Sequence, residues 1–370
     1  MTTSELNTEY RRVAPSGETG DDPVALGVVG LSFGGVMAEQ LRRNGAQTAI
    51  RIAGLCDLDE GRRTHWSRRL GVEAVESLDR ILEEPSIEAV ALFTPPIGRA
   101  ALIHRCIDAG KHVLTTKPFE RDSEAARAVL DRAKAEGIAV HLNSPGPCLS
   151  PEEARIQDWE KRYALGKPLG ARYEIWAGRP EGADGSWYDD EDACPGGVLY
   201  RLGIYPINKL IALMGPVEAV QALSARMVTG RPTPDNGQLS LKFTSGALAS
   251  VYVTLAVAEP QPYKHQMTVN FSGGTVYRDT GPFEGSPEDG DECRLRLLVR
   301  NAAGTRVLEE QVVTPDNYQW ENFRRAVRGL PLAQETDSWR VVHGIEVVEA
   351  MARAVKSGNQ ESVEASDAKS

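Results

Sequence analysis

Between residues 24 and 143, short apolar runs alternate with stretches whose apolar positions recur every three or four residues. VALGVV (24–29), IRIAGLC (50–56), EAVALF (88–93), HVLTT (112–116) and IAVHLN (138–143) read as strands. Between them GGVMAEQLRRNG, DEGRRTHWSRRLG, the short LDRILEE, RAALIHRCIDAG and SEAARAVLDRAKAEG read as helices. Gly45, Gly71, Gly110 and Gly137 are placed to end four of these helices. Strand–helix alternation of this kind builds a parallel, doubly wound sheet with helices on both faces.

Beyond about residue 150 the pattern changes. PEEARIQDWEKRYALG reads as a helix, GARYEIWAG as a strand, and GRPEGADGSWYDDEDACPGG as a long polar loop. LYRLGIYPINKLIALMG then reads as one helix. Strands follow in hairpin order: VEAVQALSARMVT, GQLSLKFTSGALASVYVTLAV, QMTVNFSGGTVYRD and RLRLLVRNAAGTRVLEEQVV, with SGA, SGGT and NAAGT as tight-turn signals. Two helices, NYQWENFRRAVRG and DSWRVVHGIEVVEAMARAV, close the chain. This half predicts an α+β domain on a largely antiparallel open sheet.

Composition narrows the range of functions. A chain of 370 residues favours two domains over one. Lys+Arg 42 against Asp+Glu 52 gives a net charge of -10, which argues against nucleic-acid and acidic-membrane partners. The five cysteines (Cys56, Cys106, Cys148, Cys194 and Cys293) show no CxxC spacing, and the histidines show no metal-ligand spacing, so no metal site is expected. Reduced thiols, no apolar run long enough to cross a bilayer, and a polar N-terminus point to a cytoplasmic protein.

Gly30-Leu31-Ser32-Phe33-Gly34-Gly35 stands between the first strand and the first helix and approximates G-x-G-x-x-G, with Ser32 at the second glycine. A small residue there lets the backbone approach a pyrophosphate, and the helix start offers unpaired N–H groups. The second strand ends in Asp57, 27 positions after Gly30. Its carboxylate can accept from the ribose hydroxyls of NAD and repel a 2′-phosphate, which favours NAD over NADP. Two other features bear on it: Asp57 could instead cap the helix that starts near Leu58, and Arg62 and Arg63 lie close by.

VALFTPPIGRAALIHRCIDAGKHVLTTKPFE (90–120) closely resembles the Gfo/Idh/MocA family of oxidoreductases. The family's T-P-x segment is Thr94-Pro95-Pro96 here, and its A-G-K-H-V-x-x-E-K-P is matched by Ala109–Val113 and Thr116-Lys117-Pro118. The resemblance covers roughly residues 24 to 355. It implies a Rossmann domain over 23–146 and a substrate-binding and oligomerisation domain over 147–357, with flexible tails at 1–22 and 358–370. It implies that Gly30, Ser32, Phe33, Gly34, Gly35, Asp57, Thr94 and Pro95 hold the cofactor. Lys117 would reach both nicotinamide and substrate; the bland alternative is a surface lysine beside a turn. The family's glutamate before the lysine is Thr116 here.

A second family landmark, G-G-x-x-x-D-x-G-x-H/Y-x-x-D/N, is matched from Gly196 to Asn208 and resembles the glucose-fructose oxidoreductase and dihydrodiol/xylose dehydrogenase branch. Positions 201, 205 and 208 would share one helix face. The resemblance makes Tyr205 the proton donor and acceptor and Asn208 an orienting residue. A close ammonium, Lys117, would favour phenolate over phenol. Otherwise Tyr205 is a half-buried packing aromatic.

Arg201 stands where the family has aspartate. It could bind a carboxylate or phosphate of the substrate, pair with Asp189, Asp190, Glu191 or Asp192, or mark a defunct site. Trp187 and Tyr188 could wall a sugar ring, or belong to a solvated acidic loop. The expected activity is NAD(P)-dependent hydride transfer at a hydroxyl or keto carbon of a sugar, polyol or related cyclic alcohol. The alternative is a non-catalytic dinucleotide-dependent sensor, which Thr116 and Arg201 keep open. An apolar outer face on the second sheet would be covered by another subunit, giving a homodimer or homotetramer.

Overall fold

The computed structural model describes residues 22–178, 181–257, 264–280, 292–301, 304–313 and 318–364. The first half is built from β1 (Val24–Val29), α1 (Phe33–Thr48), β2 (Ile50–Cys56), α2 (Glu60–Leu70), β3 (Ala74–Val75), α3 (Leu78–Leu82), β4 (Ala89–Leu92), α4 (Arg99–Asp108), β5 (His112–Thr115), α5 (Ser123–Ala135) and β6 (Val140–Leu142). Its six strands run parallel in the order β3-β2-β1-β4-β5-β6. β1 and β4 are buried at every position, as an apolar run covered on both faces must be. The order reverses between β1 and β4, and that switch point is where such sheets open a crevice at their carboxyl ends.

One local expectation is corrected here, and one element was not foreseen. α1 passes through Gly45 and stops at Thr48, where Ala49 takes a φ of 48°. A single interior glycine costs a helix only about 1 kcal/mol and need not end it. β3, a two-residue strand, has too little apolar pattern to be legible in the sequence.

The second half contains α6 (Pro151–Arg162), β7 (Pro168–Trp176), a 3-10 turn at Trp187–Asp189, α7 (Val198–Arg201) and α8 (Ile204–Met214). Strands β8 (Val217–Ala225), β9 (Asn236–Phe243), β10 (Leu248–Thr254), β11 (Lys264–Phe271), β12 (Gly274–Thr280), β13 (Glu292–Asn301) and β14 (Gly304–Val313) follow. α9 (Trp320–Val327), α10 (Ser338–Ser357) and β15 (Glu361–Ser362) complete the described elements. The sheet order is β14-β13-β12-β11-β7-β10-β9-β8-β15, antiparallel except where β7 runs parallel to β10.

The sheet is amphipathic in an orderly way. Leu239, Val251, Tyr173, Met267, Arg278 and Leu295 form one cross-strand row on the helix-covered face, packed under α6, α8 and α10. The row on the opposite face reads Gln221, Ser240, Ser250, Arg172, Thr268, Tyr277 and Arg296. That face is therefore largely polar, and not the apolar surface expected.

The chain then returns to the first half. Tyr318, Trp320 and Phe323 join the core beneath β1 and α1, while Val341, Val342 and Ile345 of α10 join the core beneath α4 and α5. Residues 358–364, expected in the C-terminal tail, run into β15 against β8, with Val363 buried. The N-terminal tail up to residue 21, and residues 365–370, lie outside the described residues.

Candidate active site

One cleft of about 1610 Å³ opens at the carboxyl ends of β1, β2 and β4 and continues between the two halves. Its first portion is the turn after β1. Gly30 sits at a φ of 87°, and a Cβ on it would meet the Phe93 carbonyl oxygen at 2.8 Å. Ser32 and Phe33 are exposed and line the cleft beside Gly30. Gly34 and Gly35 do not reach it: their missing Cβ atoms make room for the Phe93 ring and the Trp66 indole, which would stand at 2.7 and 2.0 Å. They lie in the first turn of α1 and let it pack closely against Phe93 and Trp66.

Asp57 lines the cleft but is buried and already engaged. Its Oδ2 accepts the Leu31 N–H at 2.6 Å, and its Oδ1 accepts the Asp59 N–H at 2.8 Å and Arg62 at 3.4 Å. It does not cap α2; Asp59 does, accepting the Arg62 N–H at 2.7 Å. Arg63 turns to the Asp57 and Leu58 carbonyls. Thr94 and Pro95 line the same wall, and the buried Thr94 Oγ1 has no hydrogen-bond partner among the described residues. A tight turn at the start of a helix, flanked by a carboxylate at the end of β2 and an orphaned hydroxyl after β4, fits a dinucleotide.

The middle of the cleft joins the halves. Lys117 projects from the loop after β5, and its Nζ donates to the Arg201 carbonyl at 2.6 Å. The same Nζ lies 4.9 Å from the centroid of the Tyr205 ring. Removal from water, reinforced by the charge of Arg201, pulls the ammonium down to about 7. The Tyr205 hydroxyl receives a hydrogen bond from Asn143 at 3.2 Å, and Asn143 Oδ1 accepts the Lys117 backbone N–H at 2.7 Å.

Tyr205 is not on the same helix as Arg201, as the pattern suggested. α7 ends at Arg201 and α8 begins at Ile204. Pro206 has no N–H to give the Leu202 carbonyl, and Gly203 is pressed so closely on the Leu199 carbonyl that a Cβ would sit 2.3 Å from its oxygen. The break still leaves Arg201, Tyr205 and the buried Asn208 on the cleft wall. Asn208 donates to the Ser144 hydroxyl at 3.1 Å.

Arg201 pairs with Glu181 at 2.8 Å, and not with the four acids expected. Its guanidinium lies 3.8 Å over the Tyr188 ring, whose neighbour Trp187 packs at 4.2 Å. Asp189 and Asp184 belong instead to Arg231, at 2.6 and 3.0 Å, and Glu191 pairs with Arg226. Thr116, in the place of the family's glutamate, accepts from Tyr318 at 3.0 Å and lies 3.5 Å from Asn143 Oδ1. Among the described residues no cluster of His, Cys, Asp and Glu could hold a metal, and the five cysteines are free and buried.

Sequence reasoning missed three contributors. Asn143 is the last residue of IAVHLN, where the strand pattern gives no sign of a polar role. Arg99 is buried and donates to the carbonyls of Thr94, Thr116, Pro118 and Phe119, tying the two cofactor-side loops together. Burial pulls it down to about 10, so it remains a cation at neutral pH. Tyr318 arrives from 202 residues away, and no local signal announces it.

Comparison with known proteins gives the same answer for both halves. Residues 24–144 match "Oxidoreductase family, NAD-binding Rossmann fold", and residues 154–277 match "GFO/IDH/MocA C-terminal domain". An uncharacterised oxidoreductase of Rhizobium meliloti is 27% identical over 363 residues, covering 92% of this chain and 100% of its own. D-xylose 1-dehydrogenase (NADP(+)) 2 of Haloferax volcanii is 25% identical over 80% of this chain and 88% of its own. Levoglucosan dehydrogenase crystallised with NADH and levoglucosan superposes with a TM-score of 0.72 at 16% identity, covering 93% of this chain and 100% of the other. The crystal structure of GenD2 from gentamicin A biosynthesis, in complex with NAD, superposes with a TM-score of 0.72 at 21% identity, covering 95% and 99%. The chain belongs to the Gfo/Idh/MocA family and is an oxidoreductase whose first domain is an NAD-binding Rossmann fold.

Proposed function

We propose that the protein is a dehydrogenase or reductase acting at a hydroxyl or keto carbon of a sugar, polyol or related cyclic alcohol, with an anionic substituent facing Arg201. Residues 23–146 hold the dinucleotide in this reading, and 147–357 hold the substrate. The observation that carries it is the meeting of Lys117 and Tyr205, one from each half, 4.9 Å apart in a cleft that also contains the glycine turn.

NAD bound along that turn supplies the hydride acceptor. Asp57 favours NAD over NADP, and Glu76 and Asp79 on the same wall would oppose a 2′-phosphate further. The protein's part is the proton. In oxidation Tyr205 takes the proton of the substrate hydroxyl as that oxygen becomes a carbonyl; in reduction it returns it. Asn143 donates to the phenol oxygen, and the Lys117 ammonium over the ring favours its charged form. Trp187 and Tyr188 offer flat faces to a ring, and Asn208 fixes the loop at Ser144 beside it.

Glu181 supports the anionic substituent. Its half-exposed carboxylate already occupies the position against Arg201 that a substrate carboxylate would take. The related proteins named for levoglucosan, galactose and D-xylose support the carbohydrate class. The test is a panel of neutral sugars, uronates and inositols with NAD and NADP, followed by the absorbance of reduced nicotinamide. Turnover should favour uronates over the matching neutral sugars, and Arg201→Ala should remove that preference. Equal rates for both classes in the parent protein would refute the anionic part.

A homodimer or homotetramer in the cytoplasm completes the reading. Tyr252 and Tyr277 lie half-buried on the sheet face turned away from the helices, with Arg172 and Arg296 beside them, residue types that interfaces favour. The buried free thiols suit a reducing compartment. A monomer by light scattering would refute the assembly.

A further inference from the structure

Asn143 stands between the two groups assigned to the chemistry, just past the end of β6. Its Oδ1 accepts the Lys117 backbone N–H at 2.7 Å, and its Nδ2 donates to the Tyr205 oxygen at 3.2 Å. The two ends of an amide are ordinarily interchangeable in assignment. Here the partners decide: a backbone N–H only donates, so the atom facing Lys117 is oxygen and the atom facing Tyr205 is the NH₂. Thr116 adds a hydroxyl 3.5 Å from the same Oδ1 and is itself held by Tyr318 at 3.0 Å, which fixes the amide from a second side. The phenol oxygen is thus an acceptor in this bond, whichever protonation state it holds.

A hydrogen bond donated to an ionised oxygen is worth about twice one donated to a neutral oxygen. The contact therefore favours phenolate over phenol. We propose that Asn143 is a positioning residue that sets the pH at which Tyr205 exchanges its proton, by keeping an amide donor on the phenol oxygen. The inference rests on the reading of Tyr205 as the acid–base group. Lys117 after β5 lies over the phenol ring, and the charged and titratable groups lining the same cleft include Arg201 with Glu181 at the end of α7, Lys209 with Glu152 and Glu153, Arg278 and His265 on the sheet, and Arg231 with Asp184. Replacing Asn143 by a neutral residue changes none of their charges.

The experiment is ultraviolet titration of phenolate in the full-length protein, with Tyr205→Phe as the blank that isolates this phenol. In Asn143→Ala the Tyr205 titration should move up by about one pH unit, on the difference between hydrogen bonds to charged and neutral oxygens. The matching limb of the pH profile of kcat should move by the same amount with KM unchanged. Asn143→Ser, whose short hydroxyl cannot span both partners, is the second variant should alanine fail to fold, and it should move the same way. A folded variant whose Tyr205 titrates as in the parent overturns the inference. If the parent protein turns over no substrate, the functional reading fails instead, and the phenol titration still decides the role of Asn143.

Discussion

Lys117 carries the main electrostatic strain of the site. Its ammonium is pulled from an ordinary lysine value of 10.5 to about 7, by burial first and by Arg201 second. Between those two pH values the unfolded chain binds a proton that the folded chain does not. Stability therefore rises with pH across that window, and the penalty is complete below about 7. Lys117→Met keeps the side chain's length without the charge. It should raise the melting temperature most at about pH 6 and progressively less toward pH 9, measured by thermal unfolding at each pH. An equal gain at both ends would show that the lysine is not desolvated as described. Arg201 is the other half of this balance. Sequence alone gave its charge and its position beside Tyr205, but not its partner. Glu181 lies 20 residues upstream in a polar loop whose other acids were equally eligible, and only the folded loop brings that one carboxylate to 2.8 Å.

At the scale of elements, the break between α7 and α8 decides where Tyr205 points. An unbroken helix would have stacked positions 201, 205 and 208 in a row. The Leu202–Gly203 corner instead ends one helix at the Arg201 carbonyl, which receives Lys117, and starts another at Ile204. The corner depends on Gly203 having no side chain, since a Cβ there would stand 2.3 Å from the Leu199 oxygen. Gly203→Ala should cost about 1–3 kcal/mol by denaturant unfolding, as an overpacked position does. It should also lower kcat more than it weakens NAD binding, because the nucleotide turn is on the other half. Unchanged stability would mean that the corner relaxes freely. The apolar pattern here was continuous, so period alone could not show the break; Pro206 was the legible signal, because a proline is tolerated in the first turn of a helix but not in its interior.

At the scale of the molecule, the first sheet was legible nearly strand by strand, since parallel strands buried on both faces leave uninterrupted apolar runs. The return of the C-terminal helices was not legible. Trp320 and Val342 are apolar at helical spacing, but nothing local says that they complete the cores of the other half. Nor was the buried charge cluster beneath the cleft. Glu152 accepts Arg278 at 2.7 Å, Cys293 at 3.1 Å and also Lys209, joining α6, α8 and two strands of the second sheet. Burial alone would push this carboxyl up, but Arg278 and Lys209 outweigh it and hold it below the usual carboxylate range. Glu152→Gln leaves Arg278 buried without its anion and Lys209 with only Glu153 at 3.8 Å, and should cost about 3–5 kcal/mol in chemical unfolding. A loss below about 1 kcal/mol would mean that solvent already screens the cluster.

The central claim is that a lysine from the nucleotide half and a phenol from the substrate half act together on one substrate. The most direct measurement is steady-state NAD reduction by the parent protein, Lys117→Ala and Tyr205→Phe on whichever sugar of the panel it oxidises best. Each substitution should lower kcat by roughly 10²–10⁴-fold while NAD still binds and the fold still melts cooperatively. Parent-like turnover in either folded variant would contradict the account.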